Sequence, residues 1–98
     1  VEIETSTDAT GAPLITVAGE VDISNAAALE EAVAAATART PERLIFDLAG
    51  LRFMDSAGIA VLLAAANNVA AVRLRSPSPT VRRVVELTGL SDVLVIEP

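Results

Sequence analysis

Residues 43–63, RLIFDLAGLRFMDSAGIAVLL, carry two periodicities back to back. Arg43 to Leu48 is a short apolar run of strand length, and AGLRF is expected to turn the chain into a helix that begins near Ser56. Ile59, Leu62, Leu63 and Ala66 then fall on one helical face, the stripe such a helix would bury. A strand that feeds a helix this directly is the opening of a β-α-β unit, so the flanking segments decide how the sheet continues.

Upstream, Val1, Ile3 and Thr5 alternate with Glu2, Glu4 and Ser6, the pattern of a half-exposed strand. Asp8 to Pro13 has the turn chemistry of a hairpin, returning Leu14 to Ala18 antiparallel to the first strand. Gly19 is expected to let the chain leave that strand. Ser24 or Asn25 can cap a helix running to about Ala38, with Leu29, Val33 and Ala36 inward and Glu30 and Glu31 near its positive end. Thr40-Pro41 stops it. Downstream, Val72 and Leu74 face one way and Arg73 and Arg75 the other, so one side of the sheet is wet there. Ser78 caps a helix that Pro79 starts, Val81, Val84 and Val85 face inward, and Gly89 ends it, with Leu90 folding back as in a Schellman cap. Val93 to Ile96 is the last strand. The expected fold is a single α/β domain over residues 1–98, with a mixed, mostly parallel sheet, an N-terminal antiparallel hairpin and helices mainly on one face.

Composition narrows the function. Ninety-eight residues with 52% apolar content suffice for one core that buries roughly 60 to 70% of the unfolded surface. A net charge of −6 argues against duplex nucleic acid or an anionic membrane as a direct partner, since either needs a concentrated cationic face. The longest apolar run, Ile59 to Ala66, is too short to span a bilayer. No N-terminal stretch resembles a signal peptide and cysteine is absent, so the expected compartment is the cytoplasm. The free chain is expected to be a monomer.

The inventory also limits the chemistry. Ser56 follows Asp55, but the chain has no histidine, cysteine or lysine to serve as its base, which excludes Ser-His-Asp and Ser-Lys hydrolases. A P-loop is excluded by the missing lysine, and a transition-metal site would have to be built from carboxylates alone. No cofactor or metal is expected. Asp22, Asp47 and Asp55 fall at or near strand ends, where acidic residues usually cap or stay solvated.

Three blocks remain: GEVD at 19–22, LIFDLAGLRFMDSAGIAVL at 44–62 and SPTVRRVVELTGL at 78–90. In order and spacing they closely resemble the signature blocks of STAS domains of the anti-sigma-factor antagonist type. The resemblance implies that Ser56 is phosphorylated by a partner that is both an anti-sigma factor and a serine kinase. It further implies that the unmodified antagonist binds that partner and frees the sigma factor, and that phosphorylation ends the binding. Asp22 matches the family's acidic position beside the phosphosite. Ala57 stands where the family often carries a second hydroxyl, leaving Ser56 as the only acceptor in the motif. The expected partner surface comprises Asp22, Ser24, Asp55, Ser56, Ala57 and Gly58, with Ser56 and Asp55 both offering capping side chains and Gly58 keeping the approach uncrowded. Two alternatives stay open: a STAS module of a stress-signalling complex or an anion transporter, and a small-ligand or nucleotide-binding domain that uses helix N-termini to attract anions.

Overall fold

The structure, a computed structural model, describes residues 1–97. In chain order the elements are β1 (Glu2–Thr7), β2 (Pro13–Val21), α1 (Ala26–Ala36), β3 (Arg43–Asp47), β4 (Leu51–Met54), α2 (Ser56–Ala66), β5 (Ala71–Arg75), α3 (Pro79–Leu87) and β6 (Leu94–Ile96). The sheet runs β1-β2-β3-β5-β6, with β4 paired to β2 off this path. Among the described residues only β1 and β2 pair antiparallel; the other ladders are parallel, as β-α-β connections require.

Register explains why the sheet has a dry and a wet face. Ile15, Phe46, Leu74 and Ile96 stand in one row across four strands, and Leu44, Val72 and Leu94 in another. All but the half-buried Ile96 are buried, and they share one cluster with Leu29 and Val33 of α1, Ile59, Val61, Leu62 and Ala65 of α2, and Val81 and Val85 of α3. Each of these side chains larger than alanine contributes on the order of 1.5–3 kcal/mol through burial. The opposite face presents Leu14, Ile45, Arg73 and Val95 in one row, of which Ile45 is buried and the others half-exposed, and Thr16, Asp47 and Arg75 in the next. Arg73 and Arg75 point outward as their alternation predicts, and Arg75 pairs with Glu97 at 3.2 Å. Arg82 and Arg83 are exposed on α3, in the helical layer across the sheet from them. Two cationic pairs on opposite faces make no continuous stripe for a phosphate backbone. Fluorescence anisotropy at physiological salt is therefore expected to detect no binding to duplex DNA; measurable affinity would overturn this reading.

Several local expectations change. Leu51–Met54, read as a turn, is a strand: β2 shifts register between Gly19 and Glu20 and its last residues pair with β4. Gly19, at φ +95°, supplies the backbone conformation that this bulge requires. In α2, Val61 and Ala65 are buried, whereas Leu63 and Ala66 are only partly so. The stripe is rotated because α2 packs against α1 as well as the sheet. Glu30 and Glu31 lie beyond the first turn of α1 and so sit away from its positive end. Ser78 does cap α3, its hydroxyl accepting from the Val81 amide at 3.2 Å, with Pro79 at the first helical position. Gly89 ends the helix at φ +71°. The Schellman pattern is modified there: the Leu90 amide donates to the Thr88 hydroxyl, which itself donates to the Val85 carbonyl.

Candidate functional site

The parallel pairing of β2 with β4 sets Val21 beside Met54, and the Asp55 amide donates to the Val21 carbonyl at 3.1 Å. The next residues of the two strands, Asp22 and Asp55, therefore leave the sheet side by side. One enters the loop before α1 and the other opens α2, and these helices pack on each other. This brings the two polar blocks of the sequence, GEVD and MDSAG, to one rim.

Within the first block, the Asp22 carboxylate accepts from the amide and the hydroxyl of Ser24. These bonds, the hydroxyl foremost, hold its carboxyl below the usual carboxylate range. Neither Ser24 nor Asn25 caps α1 as expected. The Asn25 side chain turns back instead, accepting from the Asp22 amide at 2.9 Å and donating to the Glu20 carbonyl at 3.0 Å. The Asn25 and Ala26 amides both donate to the Asp22 carbonyl. The loop is thus tied to itself before α1 begins.

In the second block Asp55 alone is the cap of α2. Its backbone is extended, and its carboxylate accepts from the Ala57 amide at 2.9 Å and the Gly58 amide at 3.4 Å. Ser56 is the first helical residue; it is exposed, and its hydroxyl takes no part in the capping. This corrects the expectation that both side chains cap. The amides such a hydroxyl could have served, those of Ala57 and Gly58, are already engaged by Asp55. Ala57 is half-buried against the core. Gly58 differs most from expectation: it is buried, and a Cβ there would lie 2.3 Å from Met54 Cγ and 3.0 Å from Val21 Cγ1. It seats α2 against the strand ends and leaves no open approach.

Sequence reasoning missed one exposed apolar residue in the loop on this rim and another in β4 whose side chain faces the side of the sheet away from α2. Ile23, between Asp22 and Ser24, is 86% exposed, and Phe53, opposite Glu20 in the β2–β4 ladder, is 43% exposed. The available signal was an isoleucine outside any periodic stripe, set between two loop-forming polar residues. Arg52 and Glu20 pair at 3.7 Å in water nearby.

Fold and rim together define a small α/β module that presents an exposed, uncapped hydroxyl beside two carboxylates. The chain belongs to the STAS-domain family, whose model matches residues 2–98. It is 36% identical over 93 residues to the anti-sigma-F factor antagonist RsfA of Mycobacterium tuberculosis, covering 89% of this chain and 73% of that one. It is 35% identical over 65 residues to RsfB, an anti-sigma-F factor antagonist of the same organism, covering 66% of this chain. That alignment spans only about half, 53%, of RsfB. Among solved structures, an anti-sigma factor antagonist from Mycobacterium paratuberculosis superposes with a TM-score of 0.86 at 32% identity, over 99% of this chain and 86% of that one.

Proposed function

We propose that this chain is an anti-sigma-factor antagonist: unmodified, it binds an anti-sigma factor that is also a serine kinase and so releases the sigma factor, and phosphorylation of Ser56 ends the binding. The observation that carries the reading is the position of Ser56, exposed at the first residue of α2 while Asp55 does the capping. A kinase can reach such a hydroxyl without unwinding the helix, and the helix loses no cap when the hydroxyl is modified. The names of the related proteins support an anti-sigma factor as the partner. Asp22, the residue after the end of β2, completes the surface, its carboxylate held by Ser24 of the same loop.

The small-ligand reading is less well supported at this rim. The amides of Ala57 and Gly58, which an anion would seek at the start of α2, already bond the Asp55 carboxylate.

Incubation with the cognate kinase and ATP, followed by peptide mass spectrometry, tests the assignment. Phosphate is expected on Ser56, and phosphate elsewhere would leave Ser56 as an exposed helix residue only. Asp22→Ala is expected to weaken binding to the anti-sigma factor while leaving Tm within a few degrees, because the carboxylate bonds only solvent-facing groups. Calorimetric titration checks the first and thermal melting the second. Unchanged affinity would remove Asp22 from the surface.

A further inference from the structure

We propose that Asn25 is the positioning residue of this rim, its side-chain amide fixing the peptide unit between Val21 and Asp22 and so the placement of Asp22 relative to Ser56; the proposal rests on the functional reading above. The half-buried Asn25 side chain bridges the two peptide units that flank Val21. Its oxygen accepts from the Asp22 amide at 2.9 Å, and its nitrogen donates to the Glu20 carbonyl at 3.0 Å. The Val21 carbonyl, which belongs to the same peptide unit as the Asp22 amide, accepts from the Asp55 amide at 3.1 Å. One peptide unit is therefore held at both of its polar groups, by Asn25 on one side and by the residue that caps α2 on the other. Ser56 directly follows that cap, so the same unit ties the Asp22 loop to the start of α2.

Asn25 gives up a more local role to do this. It stands at the N-cap position of α1, where an asparagine side chain ordinarily satisfies one of the first free amides of the helix. Here it makes no such bond and turns back to the end of β2. Asparagine is the shortest side chain whose donor and acceptor are separate atoms, which suits it to meet an N–H and a C=O at once.

The turn that results carries Ser24. The Asn25 and Ala26 amides donate to the Asp22 carbonyl, and the closed turn brings the amide and hydroxyl of Ser24 onto the Asp22 carboxylate. Asn25 thus acts on that carboxylate through the backbone and Ser24. A carboxylate ordered in advance loses little freedom on binding, so more of its interaction with a partner appears as affinity.

The test is Asn25→Ser, alone and combined with Asp22→Ala, in calorimetric titration of the cognate anti-sigma factor. Serine is neutral and can cap α1, but it is too short to bridge Glu20 and Asp22. Asn25→Ser is expected to melt within a few degrees of the unaltered protein and to bind about 5- to 20-fold more weakly. In the Asp22→Ala background it should add less than about twofold, because the group it positions is gone. By NMR the Asp22 carboxyl should titrate at higher pH in Asn25→Ser, toward the ordinary aspartate value, as the bonds from Ser24 that hold it low are loosened. Affinity of Asn25→Ser within about twofold of a tightly binding unaltered protein overturns the positioning role and leaves the functional reading intact. An equal loss with and without Asp22, or an unchanged Asp22 titration, overturns it by showing that Asn25 does not act through that carboxylate. A fall in Tm beyond about 8 °C overturns it by making Asn25 a residue of the fold. Failure of the unaltered protein itself to bind overturns the functional reading, and the role of Asn25 with it.

Discussion

Phosphate on Ser56 is expected to weaken binding to the anti-sigma factor on the order of a hundredfold or more, with the domain still folded. The modification adds about −1.5 to −2 charges at a hydroxyl that sits on the rim beside Asp22 and Asp55. It neutralises nothing there, since both neighbours are acidic. Nor can it take the amides of Ala57 and Gly58 without displacing Asp55, which already occupies them. The charge therefore stays at the surface, and docking would have to desolvate it against a partner shaped for a neutral hydroxyl. The effective cost of burying an unpaired ion is several kcal/mol, and about 2.7 kcal/mol already amounts to a hundredfold. Folding is little affected because the phosphate lies at the positive end of α2 and in water. Ser56→Ala should remain a binder that the kinase cannot switch off, and Ser56→Glu, with less charge, should weaken binding only partly. Calorimetric titration of the modified and unmodified protein, paired with circular dichroism of each, checks both halves. Equal affinities would mean that Ser56 is not the switch.

Gly58→Val is expected to cost roughly 2–3 kcal/mol of stability, a fall in Tm of about 8–24 °C for a domain of this size. A Cβ at Gly58 would meet Met54 at 2.3 Å (Cγ) and 2.9 Å (Sδ), and Val21 at 3.0 Å. Met54 and Val21 are 1% and 0% exposed, so neither can swing into solvent. Relief requires α2 to lift from the ends of β2 and β4, which would also separate Ser56 from Asp22, so binding should fall along with stability. Gly58→Ala should be milder, because the roughly 1 kcal/mol that alanine gains in helix propensity offsets part of the clash. Chemical denaturation of each variant gives the values. In a double-mutant cycle, Met54→Ala should soften the effect of Gly58→Val, since it removes the nearest obstruction. A Gly58→Val protein as stable as the original would show that α2 is not seated on Met54.

Much of this molecule is legible in its sequence because the signals are local. The alternation of Val72 and Leu74 with Arg73 and Arg75 depends only on the two-residue period of a strand, and it identifies the dry and wet faces that the register then aligns across the sheet. Ser78 and Pro79 start α3 and Gly89 ends it through their own backbone and side-chain preferences. The hairpin, the three helices, the mostly parallel order and the placing of Ser56 at the start of α2 follow from such patterns.

What only the tertiary structure decided involves residues far apart in the chain. Leu51–Met54 is too short to show a period, and it becomes a strand because the end of β2 shifts register past Gly19 and pairs with it. Asp55 rather than Ser56 caps α2 because the bond from the Asp55 amide to Val21 fixes where the strand stops, which leaves Asp55 extended one residue before the helix. Gly58 looked like an open approach and is a point of close contact, since the obstructing atoms belong to β4 and β2. Ile23 stands in water because the hydrogen bonds of Asp22 and Asn25 close the loop beneath it. In sequence, Asp22 and Ser56 are merely two polar residues in separate motifs; the pairing of Val21 with Met54 turns them into one surface.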